Sequence, residues 1–331
     1  MKRTLFISLL SLSFMLGGVS LAFAKYDGPS YKLKFALSQT NTSAPYMGAM
    51  KMAEIVKEKT DGKVVINVYP NEVLSSGNQQ KGMELLIQGI TDFSSHSQIL
   101  WSVFDERFAV VNLPFLFKSE EEAIDKIDNG PGGEALKKLA ADRGLINLAF
   151  GHTGFRQLTT NSEVKTVADL KNLKIRVPGI KMYSQVFTEL GAMPLTMNFA
   201  ELFTSLQQGT VDGQENPIDS IAAGKIEEVQ KYICMWNYSY EVLLVNVNAK
   251  KFNSFPPELQ QIIREAAKEG FEYQRQLTVE RNETLLKEFQ QKGMTVVYPT
   301  DEALAEFKER VQPVYQTYEP IIGKDLIDAF K

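Results

Sequence analysis

One arginine of this sequence, Arg176, stands where a charged ligand could bind. Apolar and polar residues alternate from Leu173 to Val177, which predicts a short strand, and Pro178 ends that strand. Ligands of open α/β sheets bind at the carboxyl ends of strands. A guanidinium at such an end can hold a carboxylate or a phosphate with two parallel hydrogen bonds. The alternative is an ordinary salt bridge on the surface or between two lobes.

Two more polar segments, residues 151–156 and 212–217, are predicted to follow strands of the same half of the chain. We expect Arg156, Arg176 and the amide of Asn216 to meet around one carboxylate. Because a buried and unpaired arginine is costly, the empty cleft should be open and filled with solvent, and it should close after the ligand enters. Asn216 is at least as well explained as a turn former before a proline.

Residues suited to catalysis or metal binding are scarce. The sequence has two histidines, His96 and His152, and one cysteine, Cys234. No Cys/His set has zinc spacing, no nucleophile motif lies beside either histidine, and no glycine-rich phosphate loop is present. We expect a binding protein without a cofactor or a metal site, not an enzyme. An extracytoplasmic lyase that uses Glu215 as its base is the alternative.

The first 24 residues are predicted to be a secretory signal peptide. Lys2 and Arg3 precede an apolar stretch over residues 5–16, and Ala22-Phe23-Ala24 is typical of a cleavage site. Cleavage after Ala24 changes the net charge from −4 to −4 − 2 = −6. A modestly acidic exported protein is not expected to bind nucleic acid or anionic lipid. We expect a periplasmic protein whose mature chain does not insert into a membrane, with an uncleaved anchor as the alternative.

Periodicity along the rest of the chain predicts an α/β protein with two lobes. Residues 31–69 have a strand–helix–strand pattern that favours parallel pairing. A helical pattern over residues 256–292 would extend for roughly 50 Å and would brace both lobes. The predicted division is 25–152 with 239–278 for lobe I and 153–238 with 279–331 for lobe II.

A short internal repeat indicates that the two lobes follow one plan. Residues 84–92 and 204–212 share Leu, Gln, Gly and Asp at the same offsets. Each copy reads as a helix, a glycine cap and a short strand. Such units are common, so the match is weak by itself, but it fits two similar lobes with a cleft between them.

Five sequence segments occur in a fixed order. The ordered set is a more specific signature of a protein family than any one segment alone. The segments are VYPN at 68–71, NLPFLF at 112–117, GFRQLT at 154–159, LKIRVP at 173–178 and LQQGTVDGQENP at 206–217. Together they resemble the DctP-type substrate-binding proteins of TRAP (tripartite ATP-independent periplasmic) transporters. The resemblance implies a type II periplasmic-binding-protein fold, in which two lobes enclose a ligand cleft and a long helix braces both. It also implies delivery of the ligand to a sodium-driven permease with a small and a large membrane subunit.

The resemblance assigns six positions to the ligand site. They are Arg176, Arg156, Asn216, Phe199, Tyr238 and Asn78. By resemblance, Arg176 forms the main salt bridge to the ligand carboxylate. Tyr238 stands where sialic-acid and dicarboxylate binders of the family often have histidine, so the distal part of the pocket stays open.

These observations predict a periplasmic solute receptor that binds a small organic acid and delivers it to a TRAP permease. A C4-dicarboxylate or a similar carboxylate is the favoured ligand. A sugar acid, an aromatic acid or a keto acid remains open, as does a role as the ligand receptor of a sensor kinase.

Overall fold

The structure is a computed structural model that describes residues 26–331. The predicted signal peptide, residues 1–24, lies outside the described residues. The strands are β1 (Tyr31–Leu37), β2 (Val64–Tyr69), β3 (Phe93–Ser97), β4 (Leu145–Thr160), β5 (Lys174–Val177), β6 (Met193–Thr196), β7 (Gly213–Asn216), β8 (Tyr232–Asn248) and β9 (Thr295–Val297). The α-helices are α1 (Ala44–Lys59), α2 (Gln79–Ile87), α3 (Glu120–Asp128), α4 (Pro131–Ala141), α5 (Lys181–Glu189), α6 (Leu202–Gln207), α7 (Ile218–Ala223), α8 (Ala249–Asn253), α9 (Pro257–Gln291), α10 (Asp301–Arg310), α11 (Gln312–Ile322) and α12 (Lys324–Asp328). Short 3-10 helices cover Val73–Ser75, Gln98–Val103, Glu106–Asn112, Val167–Leu170, Phe199–Glu201 and Ile226–Glu228.

Two long strands connect the two lobes. In residues 26–331 the strands form one sheet in the order β2-β1-β3-β8-β4-β7-β5-β6, with β9 also beside β8. β4 and β8 are antiparallel along almost their whole length. β3 pairs with residues 243–247 at one end of β8, whereas β7 pairs with residues 157–160 at the opposite end of β4. The first lobe is therefore built on β1, β2 and β3, and the second lobe on β5, β6 and β7. The predicted residue limits of the lobes stay a prediction.

The same unit of three parallel strands occurs in both lobes. β1 pairs with β2 and β3, and β5 pairs with β6 and β7. In the first lobe the Asp92 carboxylate accepts a hydrogen bond from the backbone N–H of Lys34 at 2.7 Å. In the second lobe Asp212 accepts the equivalent bond from Lys174 at 2.8 Å. The internal sequence repeat therefore marks equivalent positions, and the prediction of two lobes with one plan is confirmed.

The core of the first lobe lies between its sheet and the long helix α9. Phe35 of β1 is fully buried and stacks on Phe93 of β3 and on Phe271 of α9, with ring centroids 6.1 Å and 6.4 Å apart. α9 has 35 residues, which corresponds to about 52 Å of helix. It packs against α1 and β4 and continues to α7 and β9. The predicted helix that braces both lobes is thus confirmed.

The crossing of α1 and α9 is close because a glycine of each helix faces the other. A Cβ atom added to Gly270 would lie only 2.7 Å from the carbonyl oxygen of Gly48. Real Cβ atoms do not approach a carbonyl oxygen this closely, so the position needs glycine although glycine disfavours helix.

We expect Gly270→Ala to lower the free energy of unfolding by about 1–3 kcal/mol, because the added methyl group overpacks this crossing. In an uncrowded helix the same change raises the free energy of unfolding by up to about 1 kcal/mol. The sign of the measured change therefore distinguishes a crowded helix crossing from an uncrowded one. Denaturant unfolding measures the difference. Glu269→Ala at the exposed neighbouring position is the control, with an expected change within about 0.5 kcal/mol. A more stable Gly270→Ala variant would contradict the close crossing.

The prediction that two polar segments follow strands is wrong. Residues 151–156 lie within the single long strand β4 and not beyond its end. Residues 213–216 form β7 themselves, so the segment 212–217 does not follow a strand either. In both cases polar side chains point into buried polar surroundings, so the apolar alternation used for prediction is missing.

Candidate functional site

A cavity lies between the two lobes, at the carboxyl ends of β1, β3, β5 and β7. Its empty space, including the part that is open to solvent, is about 470 Å³. The side chains that line it are Ser38, Gln39, Gln79, Ser97, Ile99, Leu100, Arg156, Arg176, Pro178, Phe199, Asn216, Ser220 and Glu241. The structure thus brings together four of the six expected ligand-binding residues, and it leaves out Tyr238 and Asn78.

Arg176 presents most of its hydrogen-bonding capacity to the cavity. It is the third residue of β5 and is only 2% exposed. Its Nε and Nη2 atoms donate to the carbonyl oxygen of Met197 at 3.1 Å and 2.7 Å. A guanidinium has five N–H groups, so 5 − 2 = 3 of them remain for other acceptors. Among residues 26–331, no carboxylate forms an ion pair with this arginine.

Burial without a counter-ion lowers the pKa of Arg176 to about 10, which still leaves the group charged at neutral pH. The ring of Phe199 lies over the guanidinium, with 6.0 Å between its centroid and Cζ. An aromatic face at this distance stabilises a cation to a modest extent. Arg176 is therefore a buried positive charge that an anion in the cavity could neutralise.

Arg156 also lines the cavity, but it is already paired inside the protein. Its Nη1 donates to Glu241 at 2.8 Å, and its Nη2 donates to the Glu215 carboxylate at 2.8 Å and to Oδ1 of Asn216 at 3.0 Å. Its Nε makes a further short contact with Glu215. Burial lowers the pKa of Arg156, but the two carboxylates raise it by more, so the net pKa lies above its usual value. Only one N–H, on Nη1, remains for a ligand.

Tyr238 supports this arginine from behind and does not reach the cavity. Its hydroxyl donates to Glu215 at 2.7 Å, and its ring packs against Phe187 and Trp236. Burial, and after it the Glu215 carboxylate, raises the pKa of Tyr238 well above its usual value, so the hydroxyl stays protonated. Its predicted contact with the ligand finds no support in this position, because Glu215 already takes its donor.

Asn78 lies at the start of α2, where its Oδ1 accepts a hydrogen bond from the backbone N–H of Lys81 at 2.8 Å. It is an N-cap, and the next residue, Gln79, lines the cavity instead. Asparagine directly before a helix is a recognisable capping signal, so the sequence contained the information that separates these two neighbours.

Glu241 is the charged cavity residue that sequence reasoning missed. It lies in β8, is 5% exposed, and pairs with Arg156. Burial raises the pKa of Glu241, and the nearby Arg156 guanidinium opposes that rise. The sequence does contain one signal for this residue, a single acidic side chain directly before the apolar run at 242–245. A charge within a buried strand needs an oppositely charged or hydrogen-bonding partner, which indicates a site.

Asp219 connects the lobes beside the cavity. It belongs to α7 in the second lobe, and its Oδ2 accepts a hydrogen bond from the backbone N–H of Ala44, at the start of α1 in the first lobe, at 2.9 Å. Its Oδ1 lies 3.3 Å from Nη2 of Arg281 on α9. Burial raises the pKa of Asp219, while Arg281 opposes the rise. These contacts help to hold the two lobes together.

The lobes are closed, in contrast to the open cleft expected from the sequence. Arg176 and Arg156 are 2% and 3% exposed. The Met197 carbonyl oxygen and the Phe199 ring stabilise the first guanidinium, and the carboxylates of Glu215 and Glu241 stabilise the second. Burial of both cations is possible because each has these polar or aromatic partners.

Two lobes that enclose a polar cavity with a buried arginine define a solute-binding protein. The family model for bacterial extracellular solute-binding protein, family 7 (DctP) matches residues 35–320. The chain therefore belongs to the DctP family, whose members are substrate-binding proteins of TRAP transporters.

Named relatives and a solved structure agree with this assignment. The 2,3-diketo-L-gulonate-binding periplasmic protein YiaO of Escherichia coli is 31% identical over 281 residues, which is 85% of each chain. The C4-dicarboxylate-binding periplasmic protein DctP of Rhodobacter capsulatus is 30% identical over 286 residues, 86% of this chain and 85% of the relative. The sugar acid binding protein DctPAm of Advenella mimigardefordensis, in complex with galactonate, has a TM-score of 0.87 and 29% identity over 92% of this chain and 99% of that chain.

These comparisons confirm the resemblance and the two-lobed fold inferred from the sequence motifs. DctP-family proteins bind small carboxylate ligands and work with TRAP permeases, and the family and its relatives are receptors. The two named relatives are periplasmic proteins. Within residues 26–331, no helix combines the length and the apolar character that a membrane span requires.

Proposed function

We propose that this chain is a periplasmic receptor for a small organic acid, and that the carboxylate of the acid binds to Arg176. The observation that carries the proposal is a guanidinium that is 2% exposed, lines the cavity and has no ion-pair partner among residues 26–331. Its three remaining N–H groups suit a carboxylate, and each such charge-assisted bond contributes about 1.5–3 kcal/mol net. The ligands in the names of the relatives are all organic acids, which supports this class.

Neighbouring side chains can complete the carboxylate site. The Nδ2 of Asn216 donates one hydrogen bond to Gln214 at 2.5 Å, which leaves its second N–H for the ligand. The remaining N–H of Arg156 faces the same cavity. These groups would fix the carboxylate at the second lobe, while Ser38 and Gln39 of the first lobe face the rest of the ligand.

Export and delivery complete the proposal. We infer that the chain reaches the periplasm through the signal peptide predicted at residues 1–24 and passes its ligand to the small and large membrane subunits of a TRAP permease. Membership of the DctP family supports both steps. Reconstitution of the permease in liposomes tests delivery, because uptake of the bound acid should require this chain and a sodium gradient.

A matching acid should stabilise the protein strongly. Ligand at about 100 times Kd adds roughly 2.7 kcal/mol, which corresponds to a rise in Tm of about 4 °C for a chain of about 300 residues. A thermal-shift screen of small carboxylates measures the rise, and mass spectrometry can identify an acid that purifies with the protein. The primary amide of each acid is the control and should give no shift, because it lacks the charge. Equal shifts for acid and amide would contradict a carboxylate site.

A receptor should leave its ligand chemically unchanged. Glu215, the acid that could have served as a base, is fully buried, binds Arg156 and Tyr238, and is not part of the cavity wall. Prolonged incubation of the protein with a binding acid, followed by NMR, should therefore show only the starting compound. Formation of a product would favour an enzyme instead.

A further inference from the structure

The cavity can neutralise one negative charge of a ligand but not two. Arg156, Arg176 and Glu241 are the ionisable side chains in its wall, and Glu215 binds Arg156 from behind. Two guanidiniums and two carboxylates give 2 − 2 = 0 charge. Arg156 has both carboxylates as counter-ions, whereas Arg176 has none among the described residues. A second ligand carboxylate would therefore find no cation that lacks a partner in this wall.

The equivalence of the two lobes places no second arginine at the matching position of the first lobe. The hydrogen bonds of Lys34 and Lys174 to their aspartates align β1 with β5. Arg176 lies two residues after Lys174, and the equivalent position, two residues after Lys34, is Ala36. The arginine that would receive a carboxylate thus exists in one lobe only.

The wall of the first lobe is instead lined by neutral polar groups. Its polar members are Ser38, Gln39, Gln79 and Ser97. The Oε1 atom of Gln39 is buried and has no hydrogen-bond partner in the part of the chain that the structure describes. The Ser97 hydroxyl lies beside the Glu241 carboxylate and helps to stabilise its negative charge. Buried polar atoms are usually satisfied, so the Gln39 oxygen is suited to a hydroxyl group of a ligand.

Glu241 adds a negative charge to the same cavity. Its Oε2 accepts a hydrogen bond from Arg156 at 2.8 Å, which favours the ionised form. A buried carboxylate accepts hydrogen bonds from hydroxyl groups and repels another carboxylate, and like charges in contact at a binding site cost several kcal/mol.

We propose that Glu241 determines the class of ligand: the site accepts monocarboxylates that carry hydroxyl groups along the carbon chain and rejects dicarboxylates. The inference rests on the proposed function, because it requires the first carboxylate to lie at Arg176. It selects among the organic acids that the family fold admits, and it opposes the C4-dicarboxylate favoured by the sequence motifs.

Pairs of sugar acids that differ only at the far carbon test the charge directly. Threonate with tartrate and gluconate with glucarate, each in matched configuration, exchange a terminal CH2OH for a carboxylate. Calorimetry should show, for the pair that binds more tightly, that the monoanion has an affinity at least about tenfold higher than that of its dianion. Equal or tighter binding of the dianion overturns the proposal. Butyrate and hexanoate complete the series: if they bind as tightly as the hydroxylated acids of equal length, the role of the hydroxyl groups is refuted.

Glu241→Gln keeps the shape of the side chain and removes its charge, while Glu215 remains as a counter-ion for Arg156. The preference for the monoanion should shrink by at least about tenfold in this variant. Glu201→Gln is the matched control, because Glu201 is an exposed acid that acts on Arg176 through space but does not line the cavity. An unchanged preference in Glu241→Gln, or an equal change in Glu201→Gln, overturns the role of Glu241.

These experiments also distinguish failure of this inference from failure of the proposed function. If Glu241→Gln does not fold, the sugar-acid pairs measured with the wild-type protein still show whether the site rejects a second carboxylate. If a dianion binds more tightly and its binding requires Arg176, the receptor function stands and the ligand class is wrong. If no acid of any pair binds and the wider carboxylate screen is also negative, the proposed function fails and this inference fails with it.

Discussion

Replacement of Arg176 by methionine is expected to remove ligand affinity and to leave the fold intact. Breaking a buried charge pair by loss of one partner costs about 3–5 kcal/mol, so Kd should rise roughly 100- to 4000-fold. Ligand-free stability should stay within about 1 kcal/mol of wild type. The variant loses two hydrogen bonds to Met197, but it also removes a buried charge that has no counter-ion among residues 26–331.

Calorimetric titration and a thermal melt of the ligand-free protein measure the two effects separately. Arg176→Lys is the matched control: it keeps the charge but loses the forked geometry, so its affinity should lie between those of wild type and Arg176→Met. Wild-type affinity in Arg176→Met would show that the ligand carboxylate binds elsewhere. A loss of several kcal/mol in ligand-free stability would show that the role of this arginine is structural.

Features with local signals could be predicted from the sequence. Alternation around Arg176 and the following Pro178 located β5 and its carboxyl end. The long helical pattern located α9 to within one residue at each end, at Pro257–Gln291. The repeat that ends at Asp92 and Asp212 indicated the shared plan, because each aspartate accepts the equivalent hydrogen bond from the backbone N–H of a lysine, in β1 and β5 respectively.

Features that depend on spatial partners could not be predicted in this way. Arg156 and Arg176 look alike in sequence, and only the structure shows that one of them has two counter-ions. The partners Glu215 and Glu241 lie 59 and 85 positions from Arg156. Strand β7 was misplaced for the same reason, since its buried side chains are polar and are satisfied by neighbours that no local pattern specifies.

The two arginines of the cavity therefore have different roles. Arg156 and its carboxylates form a fixed wall, whereas Arg176 is left for the ligand. The division makes opposite predictions for the same substitution at the two positions, so the pair of variants tests the assignment more sharply than either does alone.

Replacement of Arg156 by methionine is expected to destabilise the ligand-free protein by about 3–5 kcal/mol. The substitution leaves Glu215 and Glu241 buried without their cation, at 0% and 5% exposure. Urea unfolding at neutral pH measures the loss. In the variant Arg156→Met/Glu215→Gln/Glu241→Gln no buried carboxylate remains at this place, and at least half of the lost stability should return.

Protonation of Glu241 should have the same effect as its replacement by glutamine. Burial already raises the pKa of Glu241, and loss of the Arg156 cation, which opposes that rise, raises it further. A carboxyl group whose pKa is higher in the folded state than in the unfolded state binds more protons when folded, so stability increases as the pH falls through that interval. The deficit of Arg156→Met relative to wild type should therefore shrink as the pH falls from neutrality towards the ordinary pKa of glutamate, about 4.3. A deficit that is absent at neutral pH, or one that grows on acidification, would show that these carboxylates do not depend on Arg156.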